Sequence, residues 1–324
     1  MVVMKYNEAL NRALREEMKR DPDLVLIGED IGKNWQGAFK VTKGLQEEFG
    51  PERVRDTPIS ESAIVGCAVG AALSGMRVVA EIMFGDLSAL AMDQICNQAA
   101  KQFYMFGGKG SVPIVVRLPF GSGGSYATHH SQSLEAWFIH IPGLKVIQPS
   151  TPYDAYGLMK SAIRDPNPVI SCEHKFLYNT TGEVPEEEFT IPIGKADIKR
   201  EGSDITVIAT SIMVLRALEA ATELEKHGIS VEVLDPRTIS PFDKEMIVNS
   251  IKKTGKAVIV HEACRTGGIS GEITKIIMEG AFDYLDAPVK TVAGQDVPIP
   301  FNPEMEKWII PNKERIIEGI KTII

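Results

Sequence analysis

The sequence has few of the residues that indicate a disulfide-stapled, metal-binding or nucleic-acid-binding protein. Only four cysteines occur among 324 residues, and none lies in a Cys-x-x-Cys pair, which disfavours a zinc site and a redox dithiol. Lysine and arginine number 35 against 43 acidic residues, a formal charge of −8. Because nucleic-acid affinity comes from clustered basic side chains, we expect no nucleic-acid partner.

Membrane-spanning and secretion signals are also missing. The uncharged apolar stretch at residues 62–76 is shorter than the roughly 20 residues that cross a bilayer. The first 20 residues lack the layout of a signal peptide and repeat apolar residues at helical spacing. Four scattered thiols fit a reducing compartment. We therefore expect a cytoplasmic protein without membrane contact.

Common nucleotide-binding and hydrolase motifs are absent as well. The glycine cluster at 107–110 has no Ser or Thr directly after its lysine, and the cluster at 267–271 departs from the dinucleotide fingerprint. No serine lies in a Gly-x-Ser-x-Gly elbow. These absences disfavour a P-loop enzyme, a Rossmann dehydrogenase and an α/β-hydrolase.

Helical and extended patterns alternate along the chain, which predicts parallel strands joined by helices. In the first half, helices are predicted at 6–20, 61–74, 86–103, 133–140 and 153–164, and strands at 24–27, 78–83, 112–118, 144–148 and 168–173. In the second half, strands at 205–209, 230–234, 257–261 and 289–292 alternate with helices at 214–227, 243–252, 271–279 and 313–323. The fold class is therefore two α/β domains with mainly parallel sheets flanked by helices.

An acidic stretch separates the two series of elements. Residues 182–188 include four glutamates and a proline, which predicts a surface linker. We predict one domain over residues 1–185, a linker over 186–202 and a second domain over 203–324.

Glu61 is the first candidate for chemistry. It opens a predicted helix after Ser60, and Gly66 and Gly70 lie four residues apart on one face, where another backbone can approach closely. A carboxylate in the first turn also suits the helix dipole, so a plain helix start with Ser60 as N-cap is an equally simple interpretation.

The pair His129-His130 follows a glycine-rich loop and is the second candidate. An imidazole held at a loop tip can donate or accept a proton near neutral pH. The pair could instead be incidental loop residues, or it could bind a metal with Glu135 or His140. Adjacent side chains point in different directions and no His-Glu-x-x-His motif occurs, which disfavours chelation.

Taken together, the ordered motifs resemble the beta subunits of the thiamine-diphosphate-dependent decarboxylating component of 2-oxo acid dehydrogenase complexes, of the pyruvate and acetoin type. This family belongs to the transketolase superfamily. The resemblance covers nearly the whole chain and rests on the segments at 28–32, 56–61, 92–94, 104–105, 130–132, 141–146, 161–165 and 235–243. It implies a transketolase-like pyrimidine-binding domain followed by a transketolase C-terminal domain.

The resemblance implies roles for individual residues. Glu61 would hydrogen-bond N1′ of the thiamine aminopyrimidine, while the cofactor supplies the carbanion chemistry. His130 would donate protons at the substrate and at the lipoyl dithiolane, and the role of its neighbour His129 is open. The cofactor pocket would further include Ile59, Met83 and Leu87. At position 87 the family often has an aromatic residue, which leucine cannot replace in ring stacking.

The resemblance also implies a monovalent cation, K⁺, for which carbonyl and carboxylate oxygens are suitable ligands. The matching positions are Ile114, Ala162, Ile163, Asp165 and Asn167. A plain Asp-Pro-Asn-Pro turn between a helix and a strand is an alternative interpretation of the same segment.

Part of the cofactor site has no counterpart in this sequence. Superfamily members hold the diphosphate through Mg²⁺ with a Gly-Asp-Gly motif and a later Asn-Asn pair, and neither occurs here. We therefore expect an alpha partner that holds Mg²⁺, in a heterotetramer of two alpha and two beta chains. We also expect a lipoyl-bearing acyltransferase core that docks on the C-terminal domain. The expected activity is oxidative decarboxylation of a 2-oxo acid such as pyruvate, the alternatives being acetoin cleavage and a noncatalytic scaffold.

Overall fold

The computed structural model describes all 324 residues and divides the chain into two compact units. The first unit comprises Met1–Phe120 and Trp137–Ile193, and the second comprises Gly121–Ala136 and Gly194–Ile324. The short segment 121–136, which contains both candidate histidines, therefore belongs to the second unit although it interrupts the first in sequence.

The first unit is built on six parallel strands in the spatial order β6-β7-β5-β4-β2-β3. They are β2 (Leu24–Glu29), β3 (Val54–Thr57), β4 (Arg77–Glu81), β5 (Ile114–Phe120), β6 (Lys145–Ile147) and β7 (Val169–His174). A separate antiparallel pair joins β1 (Val2–Lys5) to β8 (Thr181–Val184). β5 and β7 are buried along their whole length, as expected for central strands covered on both faces.

Helices cover the strands of the first unit. They are α1 (Tyr6–Arg20), α2 (Leu45–Phe49), α3 (Glu61–Leu73), α4 (Gln102–Met105) and α6 (Pro152–Arg164), and α5 (Glu135–Ile139) spans the boundary between the units. The helix α1 buries Tyr6, Leu10 and Leu14 at helical spacing and packs against α6. Between these helices Arg164 and Lys160 both pair with Glu17, a carboxylate that is only 1% exposed.

The second unit repeats this architecture around five strands in the order β14-β13-β10-β11-β9, all parallel except β9. The strands of this sheet are β9 (Asp197–Arg200), β10 (Ile205–Ala209), β11 (Val231–Asp235), β13 (Ala257–Cys264) and β14 (Lys290–Gly294), and β12 (Thr238–Ser240) is a further short strand of the second unit that is not part of it. Its helices are α7 (Ile212–Glu225), α8 (Lys244–Thr254), α9 (Ser270–Ala281), α10 (Pro303–Ile309) and α11 (Lys313–Lys321). The core is aliphatic and includes Ile205, Val207, Met213, Val214 and Val233.

The structure differs from the predicted elements in several stretches, and it contains elements without a predicted counterpart, namely β1, α2, β3, β12 and α10. The predicted helix at 86–103 is a 3₁₀ turn at Gly85–Ala91, a π-helical turn at Gln94–Ala99 and the short α4. A Cβ at Gly85 would lie 2.0 Å from the Phe120 ring, so the backbone packs tightly where a regular helix was expected. Part of the acidic stretch forms β8, and β9 lies inside the predicted linker at 186–202. None of the helices has the length and apolar character needed to cross a bilayer.

Candidate active site

The carboxylate of Glu61 lies at the first position of α3, directly after the turn that follows β3. Ser60 occupies the N-cap position as predicted, but its hydroxyl makes no capping hydrogen bond. Glu61 is only 5% exposed, and its carboxylate has no hydrogen bond or ion pair with another group of the chain. A buried carboxylate without a protein donor retains full capacity to bond an external group.

A second carboxylate, Glu29, lies close to Glu61 in the first unit. Burial raises the pKa of Glu29, and the negative charges of Asp30 and Glu61 raise it further. Glu29 ends β2, and the adjacent β3 ends two residues before Ile59, so the carboxyl ends of these parallel strands bring the acids together. This edge of a parallel sheet is where α/β proteins bind ligands. Glu29 lies in the segment 28–32 that carries the family resemblance, but its local sequence indicates no role for it.

The three predicted pocket residues other than Glu61 also belong to the first unit. Ile59 is 74% exposed, an unusual state for a large aliphatic side chain two residues from a buried carboxylate. Met83 follows β4 and Leu87 lies in the turn Gly85–Ala91, and both are partly buried. The helix α3 packs against that turn, so Glu61 and Leu87 lie on contacting elements.

The glycine face of α3 divides into two different environments. A Cβ at Gly66 would contact the Gln94 side chain of the same chain, at 3.4 Å from Oε1. A Cβ at Gly70 would meet nothing within 4 Å, and Gly70 is exposed. Close approach of another backbone is therefore sterically open at Gly70 and not at Gly66.

The predicted histidines lie in the second unit, in the short turn Thr128–His130. His129 is exposed and His130 is partly buried. The preceding loop is anchored within this unit, since the amide N–H of Ser122 donates to Glu262 Oε1 at 2.8 Å and that of Gly123 donates to Glu306 Oε1 at 2.6 Å. A local motif marks the histidines in the sequence, whereas Glu262 and Glu306, the two carboxylates that hold their loop, lie far away along the chain and belong to no such motif.

A further buried carboxylate, Glu135, follows the histidines at the start of α5. Burial, with a smaller contribution from the negative charge of Glu262, raises the pKa of Glu135 to about 7. A small cavity of about 90 Å³ beside this segment is lined by Ser131, Glu262 and Cys264 among others. No three His, Cys, Asp or Glu side chains of the chain are grouped so that they could hold a metal ion.

Four of the residues predicted to bind K⁺ lie around the end of α6, and the oxygens of two of them, Ile163 and Asp165, already have cationic partners. Arg77 Nη1 donates to the carbonyl oxygens of Ile163 at 2.7 Å and of Asp165 at 3.2 Å. Lys145 pairs with the Asp165 carboxylate, and the amide N–H of Asn167 donates to the same side chain at 2.9 Å. Ala162 and Ile114 are buried nearby in α6 and β5. The arrangement does not fit an additional cation as it stands, so K⁺ stays a prediction and no step is derived through it.

The aminopyrimidine of thiamine diphosphate, by contrast, fits the first unit. It requires a carboxylate acceptor and apolar walls, and Glu61 offers the former without a competing donor while Ile59, Met83 and Leu87 offer the latter. Nothing in this unit supplies a diphosphate-binding motif of the Gly-Asp-Gly type. The residues of this parallel α/β unit thus fit the pyrimidine half of such a site.

Comparison with known proteins assigns both parts of the chain. Residues 3–181 match the transketolase pyrimidine-binding domain, and residues 194–316 match the transketolase C-terminal domain. A solved structure of a split-gene transketolase, described as an inactive beta4 tetramer, superposes with a TM-score of 0.81 at 23% identity over 99% of this chain and 98% of that one. The class is therefore that of transketolase-type α/β proteins, and the predicted fold class is confirmed.

Relatives with higher identity define the family within this class. The chain is 50% identical to the 2-oxoisovalerate dehydrogenase subunit beta of Bacillus subtilis, over 100% of this chain and 99% of that protein. It is 47% identical to the pyruvate dehydrogenase E1 component subunit beta of Rhizobium meliloti, over 100% of this chain and 70% of that protein. It is 46% identical to the acetoin:2,6-dichlorophenolindophenol oxidoreductase subunit beta of Bacillus subtilis, over 97% and 95% of the two chains. The chain belongs to the family of E1 beta subunits of 2-oxo acid and acetoin dehydrogenases, which confirms the resemblance found in the sequence.

Proposed function

We propose that this chain is the beta subunit of a pyruvate-type 2-oxo acid dehydrogenase component that works with thiamine diphosphate and an alpha subunit. The observation that supports the proposal is the buried Glu61 carboxylate, which has no protein donor and lies at the strand ends of a transketolase pyrimidine-binding domain. A scaffold subunit would have no need to keep such a carboxylate, because burying a charge without a partner is unfavourable.

In this proposal each residue acts on a defined atom. Thiamine diphosphate, when bound, supplies the nucleophilic carbon and electron sink for losing CO₂ from a 2-oxo acid. Glu61 would share a proton with N1′ of the aminopyrimidine, and Ile59, Met83 and Leu87 would form the apolar wall against its ring. His130 donates a proton to the substrate oxygen and assists acyl transfer to a lipoyl group by protonating the dithiolane sulfur.

The alpha subunit supplies the other half of the site. The chain has no Gly-Asp-Gly motif and no Asn-Asn pair to hold Mg²⁺ and the diphosphate. Exposed apolar side chains support a partner contact: Phe103, Tyr104, Met105 and Phe106 are each more than half exposed. Phe103 and Tyr104 also line a groove of about 690 Å³, together with residues that include Pro142 and Leu144. We propose a heterotetramer of two alpha and two beta chains that delivers the acyl group to a lipoyl-bearing acyltransferase core.

The site cannot be tested with the chain alone, so the experiment compares it with the reconstituted component. We expect the isolated chain to bind thiamine diphosphate weakly and to decarboxylate nothing, and the component with alpha to release CO₂ from pyruvate. Glu61→Gln should lower kcat of the component by at least about 100-fold, since the proton at N1′ can no longer be shared. Glu187→Gln, at an exposed glutamate without an ion pair, is the control. Tight cofactor binding and decarboxylation by the isolated chain would contradict the proposal, and full activity of E61Q would favour the scaffold interpretation.

Substrate choice is tested in the same preparation. Relatives named for 2-oxoisovalerate, pyruvate and acetoin are all 46–50% identical to this chain, and pockets that differ by a few contacts change specificity strongly. The component is assayed on pyruvate, a branched-chain 2-oxo acid and acetoin. The highest kcat/KM on pyruvate supports the proposal, whereas the highest value on acetoin supports the alternative of an acetoin-cleaving component.

We further propose a reducing, cytoplasmic location, which the four free cysteines support.

A further inference from the structure

The loop that leads to the histidines is held by carboxylates from two other elements of the second unit. Glu262 on β13 accepts the amide N–H of Ser122 at 2.8 Å and the Ser133 hydroxyl at 3.1 Å. Glu306 on α10 accepts two amides of the same loop, that of Gly123 on Oε1 at 2.6 Å and that of Ser125 on Oε2 at 2.9 Å. Both oxygens of Glu306 are thus committed to one short stretch of backbone.

Glu306 has no other partner that would explain its burial. Its side chain is only 1% exposed, and no lysine or arginine pairs with it. A buried carboxylate must be compensated by hydrogen bonds, and two backbone N–H groups provide charge-assisted bonds here. These hydrogen bonds also constrain the loop, because one carboxylate holds the amides of both Gly123 and Ser125 in place.

The backbone of this loop needs such external support. Gly121 and Gly123 have φ values of 97° and 107°, and the non-glycine residues Ser125 and Ala127 have φ values of 55° and 63°. Ala127 combines its positive φ with a ψ of −171°, a region that is occupied almost only by glycine. It directly precedes the turn Thr128–His130. The conformation that presents the histidines is therefore unfavourable by itself and depends on its anchors.

A second anchor closes the same loop. The Thr128 hydroxyl donates to the Ile299 carbonyl at 2.8 Å, and Ile299 lies four residues before α10. The segment 299–306 therefore contacts the loop before its strained residue, through Glu306, and after it, through Ile299. Displacement of Glu306 would release the first contact and allow Ala127 to relax.

We propose that Glu306 is a positioning residue for His130, which it orients through the backbone of residues 123–127 without contacting the substrate. The role of His130 in this inference rests on the proposed function. The hydrogen bonds between Glu306 and the loop are independent of that function. The shape-conserving change Glu306→Gln keeps one acceptor oxygen and turns an NH₂ group toward the other amide, which is a donor facing a donor.

The test compares E306Q with E304Q in the complete chain and in the component reconstituted with the alpha subunit. Glu304 lies on the same helix, is exposed and pairs only with Lys307. We expect amide hydrogen exchange at Gly123 and Ser125 to accelerate on the order of 100-fold in E306Q, as for loss of hydrogen bonds to a charged acceptor. We expect kcat to fall about 10- to 100-fold while the KM for thiamine diphosphate stays within about twofold, since the histidine is misplaced and the cofactor site is intact. E304Q should behave like the parent in all three measurements.

A conservative variant keeps the test valid if E306Q unfolds. Glu306→Asp retains the charge but places the carboxylate one methylene further from the loop. Its amide exchange at Gly123 and Ser125 should lie between that of the parent and that of E306Q, and its kcat should be higher than that of E306Q. Unchanged exchange at both amides in E306Q, or equal losses in E306Q and E304Q, overturns the proposal. Faster exchange with an unchanged kcat overturns the link to His130. The proposed function itself is tested with the unsubstituted component, and inactivity of that component on all three substrates overturns it. This result does not depend on the Glu306 variants.

Discussion

Glu135 connects the protonation of one side chain to the stability of the fold. Its pKa is raised from 4.5 to about 7, mainly because the carboxyl is buried. The unfolded chain releases this proton near pH 4.5 and the folded chain keeps it until about pH 7, so stability falls as the pH rises between these values. At about 1.4 kcal/mol per pKa unit, the loss above pH 7 is on the order of 3 kcal/mol. We expect Glu135→Gln to be about 2–3 kcal/mol more stable than the parent at pH 8 and within about 1 kcal/mol of it at pH 5.

Urea unfolding between pH 5 and pH 8 measures this difference. Glu187→Gln serves as the control, because Glu187 is exposed and a neutral amide there should leave the pH dependence unchanged. A gain for E135Q that is the same at pH 5 and pH 8 would show that the effect comes from packing and not from the charge.

Individual site residues could be predicted from the sequence only where a short local motif contains them. Glu61 and His130 could be found because short local motifs contain them. Glu262 and Glu306 bond loop residues that are 140 and 183 positions away in sequence, so no local pattern indicates them. The same holds for Glu29, whose environment depends on the parallel pairing of β2 with β3.

At the scale of elements, glycine has opposite effects in two places near the cofactor half-site. A Cβ at Gly85 would lie 2.0 Å from the Phe120 ring, whereas a Cβ at Gly70 meets nothing within 4 Å. We expect Gly85→Ala to destabilise the chain by about 1–3 kcal/mol through overpacking. Gly70→Ala, in the exposed middle of α3, should stabilise the isolated chain by about 0.5–1 kcal/mol through helix propensity. Thermal unfolding of the two variants in parallel checks both signs, and equal midpoints would contradict the assigned packing.

Elements with a clear apolar pattern could be predicted from the sequence, and elements that depend on pairing or on distant contacts could not. Helices such as α1 have apolar residues at helical spacing, and the buried strands β5 and β10 are short, mainly apolar segments, so their patterns are sufficient. β3 and β8 are mostly exposed edge segments with polar side chains, and backbone pairing forms them without an apolar pattern. The irregular turn at Gly85–Ala91 depends on Phe120, a residue of another strand.

At the scale of the whole molecule, the open face of α3 makes a prediction about assembly. Ala63, Cys67 and Gly70 are all exposed and follow one another at helical spacing, which allows a partner backbone to approach closely. A leucine at Gly70 has room in the isolated chain but would fill the space needed by the partner. We expect Gly70→Leu to fold normally and to weaken assembly with the alpha subunit at least about 10-fold, which corresponds to about 1.4 kcal/mol.

The matched control for this prediction is Gly271→Leu. Gly271 is exposed in the first turn of α9, belongs to the second unit, and also has nothing within 4 Å of its Cβ position. Light scattering on co-expressed chains should give the full complex mass for G271L and a concentration-dependent loss of mass for G70L. An unchanged mass of G70L at all concentrations would show that α3 is not at a chain interface. The half-site around Glu61 would then have to be completed from another side of the first unit.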